Sequence, residues 1–119
     1  MLNSAIALGQ LDTAPTLVTN TPLTTIEGGT TAVTGGWLDY DDAEQADTEI
    51  VYTISALASH GTLRLNGFAL GLGGTFTQDD LNNERVTYRH DGSEGPSDSF
   101  GFSVSDGQSD PVTGQTFFR

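Results

Sequence analysis

Carboxylates are the residues of this chain best suited to chemistry. They gather in Leu38-Asp39-Tyr40-Asp41-Asp42 and in Tyr88-Arg89-His90-Asp91-Gly92-Ser93-Glu94, with Asp12, Glu27 and Asp106 at other segment ends. Ca²⁺ takes several oxygen ligands from flexible loops, so carboxylates gathered where strands end suit a hard cation. Asp39 and Asp41, at alternate positions of one loop, suit shared coordination. The bland alternative is that Asp-Gly pairs such as Asp106-Gly107 only form turns through Asx hydrogen bonds. Asp42, Glu44 and Asp47 read as solvated charge, and Asp79 and Asp80 as decoration of a helical turn. Catalysis has little support. His90, Asp91 and Ser93 are too close in sequence to converge as a triad. Two separated carboxylates could form a glycosidase pair, but no aromatic-rich cleft is evident, and His60 before Gly61 reads as a turn residue. The expectation is a protein that is not an enzyme.

The elements that must position these groups are short strands. Apolar residues alternate with polar ones: Ile50, Tyr52 and Ile54; Leu63 and Leu65; Val86 and Tyr88; Phe100, Phe102 and Val104. That period marks strands buried on one face of an antiparallel sheet, and these ten residues form the expected core. Weaker strands are expected near Thr16–Val18, Leu23–Ile26, Thr30–Val33, Phe68–Leu70 and Gln115–Phe118. Asn66-Gly67 fits a type I′ hairpin turn. Thr77 caps a helical turn, with Asp80 completing the capping box. About seven short strands separated by Gly-rich turns argue for an all-β antiparallel sandwich. Counting strands alternately up and down places Asp12 and the loops 39–47 and 106–110 at one pole. Glu27 and the loop 91–97 fall at the other. Bare like charges at either pole destabilise the fold, and a bound cation reverses that effect.

A chain of 119 residues with 16 acidic and 4 basic side chains carries a net charge of −12. Such a surface disfavours nucleic acid and anionic lipid as partners. There is no cysteine, so disulfides and thiolate metal sites are ruled out. Residues 1–9 lack the basic n-region and apolar core of a signal peptide, and no apolar run reaches membrane-spanning length. Residues 1–14 read as a tail and linker before a single domain over 15–119. Phe117-Phe118-Arg119 stops inside a strand pattern, so the chain looks like one unit cut from an array.

The ordered series Ile26-Glu27-Gly28-Gly29, Leu38-Asp39-Tyr40-Asp41-Asp42, Tyr52-Thr53-Ile54, His60-Gly61-Thr62-Leu63, Phe76 to Leu81, Val86 to Glu94, and Asp98 to Gly107 resembles the chondroitin-sulfate-proteoglycan (CSPG) repeat, a cadherin-like module of large surface proteins. The resemblance covers about Pro15 to Arg119. It implies a cadherin-like or immunoglobulin-like sandwich, extracellular or on the cell surface, in which Ca²⁺ stiffens joints between repeats. Residue by residue, Glu27 is similar to the Glu after the first cadherin strand, Asp39 with Asp41 to the Asp-x-Asp, and Asp106-Gly107 to the last Asp-Gly. Asp91 and Glu94 are similar to the mid-domain acidic pair. Leu11-Asp12 is similar to the linker, with Leu where Asn is expected. The implied ligands are Asp39, Asp41 and Asp106 with Asp12 at the N-terminal pole, and Glu27, Asp91 and Glu94 at the C-terminal pole. The implied role is adhesion or matrix attachment, the partners being neighbouring repeats and a surface or matrix protein or polysaccharide. Two other readings stay open. One is a carbohydrate-binding module in which Trp37 or Tyr40 stacks on sugar; the other is a metal-free spacer.

Overall fold

The computed structural model describes residues 14–25, 28–92, 98–108 and 111–118. Ten strands lie among them: β1 Thr16–Asn20, β2 Thr30–Ala32, β3 Leu38–Asp41, β4 Val51–Ala56, β5 Gly61–Leu65, β6 Phe68–Ala69, β7 Thr75–Thr77, β8 Val86–His90, β9 Ser99–Ser105 and β10 Val112–Phe118. All the strand pairings are antiparallel. One sheet runs β10-β9-β4-β7 and the other β2-β8-β5-β6, with β1 and β3 as a separate ribbon. The ribbon is tied to the first sheet where Leu23 N–H donates to the Phe118 carbonyl at 2.9 Å.

The alternating residues meet between the sheets. Ile50, Tyr52, Ile54, Leu63, Val86, Tyr88, Phe100, Phe102 and Val104 are all buried; Leu65 is partly buried against the same core. Tyr52 stacks on Phe76 at 4.9 Å between ring centres, and Tyr40 meets Tyr52 and Phe102 edge-on at 5.9 and 6.0 Å. These are the offset and T-shaped arrangements that aromatic quadrupoles favour.

Local chemistry follows the expected turns. Asn66 and Gly67 have φ of 52° and 86°, the paired positive values of a type I′ turn joining β5 to β6. Thr77 Oγ1 accepts from Asp80 N–H and Asp80 Oδ2 accepts from Thr77 N–H, opening the helix α1 at Gln78–Asn82. Gly61 is required by packing: a β-carbon there would lie 2.4 Å from the Tyr88 ring.

Two expectations change. Leu38–Asp41 is a strand, not a loop, because Leu38 and Tyr40 turn inward and Asp39 and Asp41 outward. No strand forms over the described part of Leu23–Ile26; Leu23 is instead buried beside β10.

A buried glutamine anchors β3. Gln78 Oε1 accepts from Tyr40 N–H at 3.0 Å and from the Tyr52 hydroxyl, while its amide donates to the Leu38 carbonyl at 3.3 Å. A fully buried amide is tolerated because each polar atom is paired. The result fixes the end of β3, and with it the acidic turn that follows.

Candidate metal centre at the N-terminal pole

Asp42 begins a tight turn as β3 ends. Its Oδ1 accepts from Glu44 N–H at 2.8 Å and Gln45 N–H at 3.0 Å. Asp106 ends β9 in the same manner, Oδ1 accepting from Gln108 N–H at 2.8 Å. Both are Asx turns. Pairing of Ser105 with Val51 sets the end of β9 at the start of β4, so the turn after β3 and the turn after β9 share one pole.

The two carboxylates face one another. Asp106 is only 3% exposed. Asp42 Oδ2 is buried and has no hydrogen-bond donor among the described residues, and the Asp42 side chain lies against the Asp106 carboxylate. Burial, opposed by the Glu44 and Gln45 amides and reinforced by Asp106, pushes the Asp42 carboxyl up to about 6. Two ionised carboxylates in contact have no proton to share, so one takes up a proton or a cation enters. Gln45 Oε1, in the same turn, is also buried without a donor among the described residues. The donor set is all oxygen, which suits Ca²⁺ or Mg²⁺ and not a thiolate-seeking metal.

Asp39 and Asp41 stand apart from this contact. Asp41 is exposed, and its Oδ1 accepts from Asp42 N–H at 3.0 Å. Asp39 is half-buried; burial first, then the charges of Asp41 and Asp47, raise its carboxyl above the usual range. Asp47 Oδ2 in turn accepts from Asn82 Nδ2 at 2.9 Å. Among the described residues, no three acidic or histidine side chains converge on one point. Asp12 lies outside the described residues.

At the other pole, Glu27 and Glu94 lie outside the described residues, and Asp91 is exposed with its N–H bound to the His60 carbonyl at 2.9 Å. The organising group there is His90, which is 1% exposed. Its Nδ1 accepts from Gly28 N–H at 3.1 Å and Gly92 N–H at 3.0 Å, joining the two loops. Asp98, also buried, holds the next loop. It accepts from Ser59, His60 and Ser99 N–H at 2.8, 3.0 and 2.9 Å and from the Tyr88 hydroxyl at 2.6 Å. Burial alone would raise the Asp98 carboxyl, but these four bonds outweigh it and hold it below the usual range.

Neither residue expected to form a sugar platform stands open to solvent. Tyr40 is 2% exposed and Trp37 packs against the core. A pocket of about 240 Å³ between the sheets is lined by Ile54, Leu57, Leu63, Leu70 and Phe100 among others, and neither Trp37 nor Tyr40 lines it.

Sequence reasoning missed Asp42 and Gln45. The available signal was the alternation Leu38-Asp39-Tyr40-Asp41. It assigns Asp39 and Asp41 to an outer strand face and leaves Asp42 as the first residue free to turn toward β9.

The cadherin-like family profile matches residues 15–118. The chain belongs to the cadherin-like family. It is 38% identical over 93 residues to human FRAS1-related extracellular matrix protein 1, covering 78% of this chain and 4% of that protein. It is 40% identical over 81 residues to extracellular matrix protein 3 of Lytechinus variegatus, covering 68% of this chain and 2% of the relative. Mouse chondroitin sulfate proteoglycan 4 is 34% identical over 95 residues, covering 75% of this chain and 4% of its own length. This cadherin-like domain therefore spans a small fraction of each relative.

Proposed function

We propose that this domain is a calcium-stiffened structural repeat of a large extracellular protein, serving matrix attachment or adhesion. The observation that carries the calcium part is the Asp42–Asp106 contact. Asp42, with one buried carboxylate oxygen that has no donor among the described residues, lies against a second, buried carboxylate, an arrangement that is unfavourable without a proton or a cation. In this reading Asp42 and Asp106 supply the ionised ligands and Gln45 Oε1 a neutral one. Asp39 and Asp41 add negative field, and the sequence offers Asp12 as a further ligand. The Glu27, Asp91 and Glu94 pole is a second, weaker site. The extracellular setting rests on relatives named as extracellular matrix proteins. The partners are neighbouring repeats and matrix or cell-surface molecules.

The test is thermal melting in chelator and in 10 mM Ca²⁺, a concentration about ten or more times a Kd of 10⁻⁴ to 10⁻³ M, the range of extracellular modules. Binding to the native state alone raises stability by RT ln(1 + [L]/Kd). The expected result is a rise in Tm with Ca²⁺, a smaller rise with Mg²⁺, and its loss in Asp42→Asn and Asp106→Asn. Identical melting of the wild type in chelator and Ca²⁺ would leave the metal-free spacer as the better description.

A further inference from the structure

Among the described residues, the arginines of this acidic chain are gathered on one face. In the β2-β8-β5-β6 sheet, Leu63 and Tyr88 turn inward, so their neighbours turn outward. The register sets Thr62 opposite Arg89, Arg64 opposite Thr87, Thr30 opposite Arg89 and Ala69 opposite Arg64. Arg85 precedes β8 in the same alternation, and its carbonyl accepts from Asn66 N–H at 2.8 Å. Every arginine among the described residues therefore belongs to this face, and no carboxylate occupies a paired position on it. Arg85 is engaged by Asp79 and Asp80 at 2.9 and 3.1 Å. Arg64 and Arg89 form no ion pair among the described residues, and Arg64 Nε is buried without an acceptor. Guanidinium groups flanked by threonines and outside any ion pair among the described residues are suited to fork onto carboxylates through their terminal nitrogens.

We propose that this face docks the outer face of the β1–β3 ribbon of a second copy of the domain, with Arg64 and Arg89 meeting Asp39 and Asp41. The charge pattern argues for this occupant. Asp39 and Asp41 project from alternate positions of one strand, about 7 Å apart. Arg64 and Arg89 are diagonal neighbours on adjacent strands, also separated by roughly 7–8 Å. Threonines flank both sets, with Thr16 opposite Asp41 and Thr19 opposite Asp39. Asp39 already bears the repulsion of Asp41 and Asp47, so an incoming guanidinium relieves it. A net charge of −12 on each copy opposes approach at long range. At physiological ionic strength the Debye length is about 8 Å, so the local match governs once the faces touch. The same net charge disfavours a long sulfated polymer as the occupant. The contact uses different faces of the two copies, so it propagates side by side rather than closing as a dimer.

The experiment is sedimentation velocity of this chain at millimolar concentration in 0.15 M salt and chelator, which keeps the calcium question out of the result. The wild type should self-associate. R64E/R89E and D39K/D41K should each weaken association by about tenfold or more, because favourable pairs become repulsive ones. Mixing the two variants should restore it, since each then meets an oppositely charged face. R64Q/R89Q, which removes charge without reversing it, should melt as the wild type does and associate weakly. A monomeric wild type, unaffected variants, or a mixture that stays monomeric overturns the proposal. Retention of the wild type on a heparin column that is lost in R64Q/R89Q, without any change in self-association, also overturns it and assigns the face to a sulfated glycan.

Discussion

The Asp42 carboxyl predicts an unusual dependence of stability on pH. Its value rises from 3.8 to about 6 in the folded chain. The folded state therefore holds a proton there that the unfolded state has released. Stability from this group is fully present below pH about 3.8 and is lost as pH rises through about 6. A rise of that size corresponds to about 3 kcal/mol at 1.36 kcal/mol per unit. Partial exposure of Asp42 to solvent screens the interaction, so about 1–2 kcal/mol is the working figure. About half of that contribution remains at pH 5 and almost none at pH 7.5, so melting followed by circular dichroism in chelator should give a Tm that falls by about 2–4 °C between the two. In the proposed calcium site the cation takes the place of the proton as the neutralising charge, so that proposal expects the fall to be largest in chelator and to shrink in saturating Ca²⁺. Asp42→Asn should flatten the profile in chelator, since the amide carries no charge at any pH. A wild-type Tm that rises steadily from pH 5 to pH 7.5 in chelator would show that Asp42 and Asp106 do not confront one another.

Three further outcomes follow from the core and its loops. Phe102→Ala, at a fully buried ring touching Tyr40, Tyr52 and Phe100, should cost about 3–5 kcal/mol in chemical denaturation; a loss below about 1 kcal/mol would mean the face assignment of β9 is mistaken. Gly61→Ala should destabilise by about 1–3 kcal/mol, because the added methyl meets the Tyr88 ring and no flexible side-chain end is there to yield. Unchanged stability in urea titration would contradict that contact. Asp98 has its carboxyl held below the usual value, so its contribution is present above pH about 3.8–3.9 and lost as pH falls below it. Asp98→Asn should lower Tm at pH 7 and narrow the gap to the wild type on acidification; a gap that stays constant down to pH 2 would oppose the assignment.

The sequence by itself determined the sandwich, most of its core and several turns. Alternation in Phe100-Gly101-Phe102-Ser103-Val104 dictates which side chains enter the core, because successive strand residues point to opposite faces. Asn66-Gly67 and Thr77 with Asp80 specify their turns through local backbone and hydrogen-bond chemistry alone. The acidic pole was legible as a place, since strand counting brings the turns after β3 and β9 to one end. Which carboxylates meet there was decided by tertiary structure. Asp39 and Asp41 look like the natural pair by spacing, yet their strand turns them outward, and Gln78 locks that strand from within. Asp42 and Asp106 are 64 residues apart in number and come together only because β9 lies on β4 and β3 ends beside them. The gathering of the arginines has the same origin: Arg64 and Arg89 become neighbours only through the β5–β8 register. Charge contacts between distant segments depend on sheet pairing, which no local pattern encodes.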